Sequence, residues 1–171
     1  MSKVIVTVEE AKKIIHLPKQ TATKMEWIIE QARDTNRYRY VTACQVLRTT
    51  IAGLFFRCSY KGMIPNIDGS IRVHENMSAG LFFKNNRISS IDYCQSYHKN
   101  KIGEGLPFFG AKFNGLHKHI WIQEGDGYAE PINVQGEIDL KTLIEMFCND
   151  NNLTILGNYQ PPFIEDQLSL F

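Results

Sequence analysis

From Arg37 to Gln123 the chain is a series of short β-forming runs, each closed by turn residues, and a helical segment stands before and after it. That order limits the fold more than any other feature. Arg37-Tyr38-Arg39-Tyr40-Val41-Thr42 alternates and is rich in β formers, and Ile51 to Tyr60 carries Leu54, Phe55, Phe56 and Tyr60. Ile71 to Glu75, Leu81 to Lys84, Ile88 to Tyr93 and Leu116 to Gln123 follow. Between them lie the turn or loop signals Asp34-Thr35-Asn36, Pro65-Asn66-Ile67-Asp68-Gly69, Asn85-Asn86 and Glu124-Gly125-Asp126-Gly127. Gly53 marks a bulge or a close backbone approach. Tyr128 to Ile132 suits an edge strand, and Leu153-Leu156 a short last one. Helix, many strands, helix predicts an α+β domain with a mostly antiparallel sheet.

The first helix has a legible start. Thr7 caps it, Glu10 completes a capping box, and Val6 can staple onto Ala11. Ala11, Ile14 and Ile15 share a face, and Pro18 ends the element. Lys12, Lys13 and Lys19 read as a solvated face. The second helix is predicted from about Leu140 to Cys148, with Asp139 as cap and Leu140, Leu143, Ile144 and Phe147 on one face. Residues 24–34 fit either period; strands on both sides of the 34–36 turn are the preferred reading. The boundaries that follow are one α+β domain over 1–160 and an extended tail over 161–171.

A net charge of +1 gives no global electrostatic case for nucleic acid or membrane binding. No apolar run approaches the length of a membrane span, and residues 1–6 lack a signal-peptide pattern. Cys44, Cys58, Cys94 and Cys148 are scattered without a Cys-x-x-Cys pair, as in a cytoplasmic protein with buried thiols.

One stretch can carry chemistry. On a strand, His117, His119 and Trp121 share a face, and two imidazoles at i and i+2 can bind a divalent metal or share acid–base work. His98 can join them if the glycine-rich segment from Lys99 to Gly115 brings its ends together, with Asn100 beside it and Asp92 or Glu130 as a carboxylate. The candidate catalytic set is His98, Asn100, His117 and His119; the candidate metal ligands are His117 and His119. The competing reading makes these histidines hydrogen-bonded anchors at a sheet edge. Asn36 to Tyr40 and Phe55 to Lys61 interleave basic and aromatic residues, which suits stacking on a single nucleic-acid strand or plain strand faces with solvated charges.

Ile91-Asp92, His98-Lys99-Asn100, His117-Lys118-His119 and Tyr128-Ala129-Glu130-Pro131 resemble, over about 70 residues, a family of small bacterial proteins of unassigned activity. Their pattern runs Arg-x-Asp, His-x-Asn, His-x-His and Tyr/Trp-Ala-x-Pro. Here Ser90 stands where the arginine is expected, and Arg87 is the nearest one. The resemblance implies that the histidines form one site.

The tail has its own logic. After Pro161-Pro162 and Glu165-Asp166 come Gln167-Leu168-Ser169-Leu170-Phe171. An extended segment of this kind presents Leu170 and Phe171 to adjoining pockets while the Gln167 amide sets the register. Each anchor contributes roughly 1.5–3 kcal/mol before ordering costs. The five residues resemble the peptide by which bacterial polymerases and repair factors dock on the DNA polymerase sliding clamp. That resemblance implies the clamp β subunit as partner, nucleic acid nearby, a phage or mobile-element setting, and competition with other clamp clients. A homodimer would present two tails to the ring. Two functions are therefore expected: a clamp-docking interaction factor, or a clamp-tethered nuclease or hydrolase using the histidines.

Overall fold

The computed structural model describes residues 6–31, 36–62, 64–65, 69–73 and 75–162. Helix α1, Val8–His16, starts as its sequence dictates: the Thr7 hydroxyl accepts the Glu10 amide at 3.1 Å, and Val6 and Ala11 are both buried. Helix α2, Leu140–Asp150, is capped by Asp139, whose carboxylate accepts the Thr142 amide at 2.7 Å. Its Leu143, Ile144 and Phe147 are buried, and Phe147 stacks on Phe56 with ring centroids 5.5 Å apart.

The strands are β1 (Lys19–Lys24), β2 (Ile28–Gln31), β3 (Asn36–Val46), β4 (Thr49–Lys61), β5 (Ile64–Pro65), β6 (Ile71–Val73), β7 (Asn76–Phe83), β8 (Asn86–Lys99), β9 (Lys112–Ile122), β10 (Gly125–Pro131) and β11 (Leu153–Leu156). Nine of them form one sheet in the order β10-β9-β8-β7-β4-β3-β1-β11, with β2 also paired to β3; β5 and β6 pair separately. Every pairing is antiparallel except β1 with β11. The chain is thus α+β, with a helix at each end of the order. No helix among the described residues is long and apolar enough to cross a membrane.

The sheet has two chemically different faces. Leu54, Phe56 and Cys58 of β4, Met77, Ala79 and Leu81 of β7, and Ile91 of β8 are buried in one core with α2. Helix α2 packs over β7, β8 and β11, and α1 over β8 and β9. The alternate residues turn to the opposite face. There the register aligns Ser59, Ser78, Asp92 and His117 across four strands, and Arg57, Gly80, Ser90 and His119 in the neighbouring row.

Two irregularities matter. Thr42 and Ala43 pair with Phe56 and Phe55, whereas Gln45 pairs with Thr50. Gly53, at φ +76°, lies in the bulged part of β4, as its sequence position suggested. In β8, Leu81 pairs with Ser89 while Phe82 pairs with Arg87, so Ile88 is an inserted residue.

The structure corrects two expectations. Lys19 does not belong to a solvated face: it is 4 % exposed. Its ammonium donates to the Ile15 carbonyl at 2.9 Å and to the Asn151 carbonyl, so one cation serves the carboxyl ends of both helices. Burial pushes it down to about 8. Trp121 leaves the histidine face to join the core, and its indole donates to the Val6 carbonyl at 3.0 Å. Residues 167–171, the clamp-like motif, lie outside the described residues.

Candidate acid–base site on the open sheet face

Strand β9 places His117 and His119 on the helix-free face, and β8 supplies Asp92 opposite His117. His98 arrives near the end of β8 because the following segment closes on itself. Asn100 donates its main-chain amide to the Ala111 carbonyl, and Gly110 donates to the Asn100 carbonyl, both at 3.1 Å. Inside this loop Gly103, at φ +87°, lies so close to Tyr128 that an added Cβ would stand 2.7 Å from the ring. The three imidazoles therefore meet: ring centroids are 4.8 Å apart for His98 and His119, 5.1 Å for His117 and His119, and 5.4 Å for His98 and His117.

Hydrogen bonding fixes which ring nitrogen carries the proton. Asn100 is 1 % exposed and fully committed. Its Nδ2 donates to the Phe108 and Ala129 carbonyls, each at 2.8 Å, and its Oδ1 accepts the Ala129 amide at 2.8 Å. The side-chain amide cannot be reversed without setting oxygen against two carbonyls. His98 Nε2, 2.9 Å from Asn100 Oδ1, is therefore the donor, and the neutral ring keeps its lone pair on Nδ1. His117 donates from Nδ1 to the Gly115 carbonyl at 2.9 Å, which leaves the lone pair on Nε2. His119 Nδ1 faces Arg87 Nη2 at 3.2 Å. A guanidinium only donates, so Nδ1 accepts and Nε2–H points to Asp92 Oδ2 at 3.2 Å.

Asp92 is the hub. Oδ1 accepts the Ser78 hydroxyl at 2.6 Å, and Oδ2 accepts Arg87 Nη1 at 3.2 Å as well as His119. Burial pushes this carboxyl up, but hydrogen bonds from His119 and Ser78 and the Arg87 charge outweigh it and hold it below its ordinary range. Burial lowers His98 against the opposing pull of Asn100 and the Gly127 carbonyl. Burial likewise lowers His117, against its bond to Gly115.

These groups line a cleft of about 440 Å³ that also takes in Arg37, Arg57 and Tyr97. Three guanidinium groups thus face it against one carboxylate, although the whole chain is nearly neutral. Arg37 and Arg57 have no acidic partner among the described residues. Arg57 lies 4.4 Å above the centre of the Phe82 ring.

His98, His117 and His119 each offer a ring nitrogen within 4.8 Å of the others, so the cluster could hold a metal ion. The donor set fits only in part. His98 and His117 have uncommitted lone pairs, whereas the one on His119 is taken by Arg87, whose cation a metal would have to displace.

The four residues His98, Asn100, His117 and His119 come together, with Asn100 as a buried support rather than a cleft-lining group. Of the two candidate carboxylates Asp92 joins them; Glu130 accepts the Tyr128 hydroxyl at 3.3 Å and does not line the cleft. Arg87 is the member that spacing conceals. Counting by twos from Asp92 puts it on the wrong face, and the extra residue Ile88 turns it back. Ser78 gave no signal: it lies between the expected runs Ile71 to Glu75 and Leu81 to Lys84, within the part of β7 that the sequence did not mark. Comparison with protein-family models, curated proteins and solved structures finds no match for the chain.

Proposed function

We propose that the folded body performs acid–base chemistry on phosphodiesters, and that the C-terminal peptide brings it to the sliding clamp. The observation carrying the first half is the proton arrangement. His98 and His117 are adjacent imidazoles with lone pairs unused by the protein, in a cleft lined by Arg37, Arg57 and Arg87. Imidazoles transfer protons near neutral pH, and guanidinium groups recognise phosphoryl oxygens and neutralise charge that builds there. Asp92 holds Arg87 and orients His119, so the carboxylate acts through its neighbours. A bound divalent metal would instead polarise a phosphoryl oxygen; His98 and His117 would hold it, with His119 available only after release from Arg87.

The test is incubation of the full chain with RNA, single- and double-stranded DNA and dinucleotides, compared with His117→Ala. Turnover that falls about 10²–10⁴-fold in the variant supports the reading. No turnover of any of these by a folded wild-type protein overturns it.

A second reading keeps the tail and dispenses with chemistry: an interaction factor that occupies the clamp and excludes other clients. It is favoured by the match of Gln167-Leu168-Ser169-Leu170-Phe171 to the clamp-docking pattern.

A further inference from the structure

This inference rests on the acid–base reading above and specifies its substrate. We propose that the cleft takes single-stranded RNA and cleaves it by transfer to the strand's own 2′-hydroxyl. Proton shuttling alone is enough for that reaction, and proton shuttling is what the uncommitted groups can do. The only carboxylate among the described cleft residues, Asp92, already serves Ser78, Arg87 and His119. It is not free to activate a water molecule. A third imidazole ligand for metal-bound water is withheld by Arg87. DNA needs such an external nucleophile, whereas RNA carries one beside the scissile phosphorus.

The steps balance without any co-reactant. Nε2 of neutral His117 takes the 2′-hydroxyl proton. The 2′-oxygen bonds to phosphorus, and the bond from phosphorus to the 5′-oxygen breaks. Protonated His98 gives its Nδ1 proton to the departing 5′-oxygen. The products are a 2′,3′-cyclic phosphate and a 5′-hydroxyl, and the two rings exchange protons with solvent before the next turn. His117 suits the base because Gly115 holds its Nδ1–H and leaves Nε2 open. His98 can serve as the acid because the Asn100 oxygen holds its Nε2–H, so Nδ1 is the nitrogen that gains and gives the proton. The burial that lowers this ring makes the proton readily given up.

The surroundings suit a single strand. Tyr97, on the cleft wall, is 64 % exposed, and the Lys112 ammonium lies 4.4 Å from its ring centre. An exposed aromatic ring beside a cation is a stacking platform for an unpaired base. Arg57 and Arg37, exposed on β4 and β3 along the same face, can take the phosphates that follow.

The experiment uses full-length protein and fluorescent oligonucleotides of one mixed sequence with EDTA present. The strands are all-ribo, all-deoxy, 2′-O-methyl, and deoxy with a single ribonucleotide. The expected result is cleavage of the ribo strand, cleavage of the mixed strand only after its ribonucleotide, and cyclic-phosphate ends by mass spectrometry. The 2′-O-methyl strand should compete yet stay intact. Tyr97→Ala, an exposed position, should raise KM with little change in kcat. Cleavage of the all-deoxy or 2′-O-methyl strand overturns this inference and leaves the acid–base reading standing. Failure to cleave any strand, by protein shown to be folded, overturns both.

Discussion

Arg87 Nη2 lies 3.2 Å from His119 Nδ1, so a permanent cation occupies the lone pair that a metal ion would need. The same guanidinium reaches Asp92 Oδ2 at 3.2 Å and Asp126 Oδ2 at 3.3 Å. This contact decides how the three histidines divide their work: two are left open to a ligand and one is locked into a supporting network.

Removing that cation should change the preference for metal. Arg87→Ala frees His119 Nδ1 beside His98 and His117, and Zn²⁺ affinity at neutral pH should rise by at least about tenfold, or ~1.4 kcal/mol. Competition against a chelating dye measures it. Unchanged or weaker affinity would show that Arg87 does not guard the site.

Stability should depend on the protonation of His98 and His117. Both have folded-state values below the ordinary 6.5, so the unfolded chain binds more protons as the pH falls through that region. Their contribution is complete above about 6.5 and is lost below it. The wild-type thermal midpoint should therefore drop on mild acidification. His117→Asn, which retains a donor for Gly115, should drop less. Equal slopes in the two proteins would contradict the assignment.

Asn100→Ala should be costly although it removes only a side-chain amide. It strips partners from the Ala129 amide and carbonyl, whereas the Phe108 carbonyl keeps the Ala111 amide. Each buried group left unpaired costs roughly 1–3 kcal/mol, so urea unfolding should show a loss of about 2 kcal/mol or more. A loss under about 1 kcal/mol would mean that water substitutes for the amide.

Truncation after Asp166 should leave the thermal midpoint nearly unchanged and abolish clamp binding. In a fluorescence competition assay against a labelled polymerase tail peptide, the full chain should outcompete the isolated tail, the outcome expected where a second contact from the body acts at high effective concentration. Leu170→Ala/Phe171→Ala should fail to displace the probe. Displacement undiminished in that double variant would remove the clamp from this account.

Much of the frame was legible because it is written locally. Thr7, Glu10 and Asp139 announce helix starts through bonds spanning three residues, and those bonds are present. Alternation and turn residues marked most of the sheet. What local pattern could not convey was pairing at a distance. Strand β1 carries the unremarkable sequence Lys19-Gln20-Thr21-Ala22-Thr23-Lys24, and it pairs with β3 and with β11, more than a hundred residues away in the chain. Lys19 looked solvated because its two carbonyl partners belong to different helices. In the site, the histidines were visible as residue types, whereas their tautomers depend on Asn100, Gly115 and Arg87.

The reciprocal bonds between Asn100, Gly110 and Ala111 close a neck on the segment they enclose. Gly103 against Tyr128 and the Phe108 carbonyl on Asn100 are fixed points within it; the exposed residues 104–107 between them can change while the neck keeps its geometry, so His98 stays beside His117. Insertions, deletions and substitutions within 104–107 then leave the histidine arrangement intact and vary what the rim contacts. Chains sharing this neck could diverge in what they contact by altering that stretch alone, and a pairwise alignment that penalises gaps there would understate their kinship.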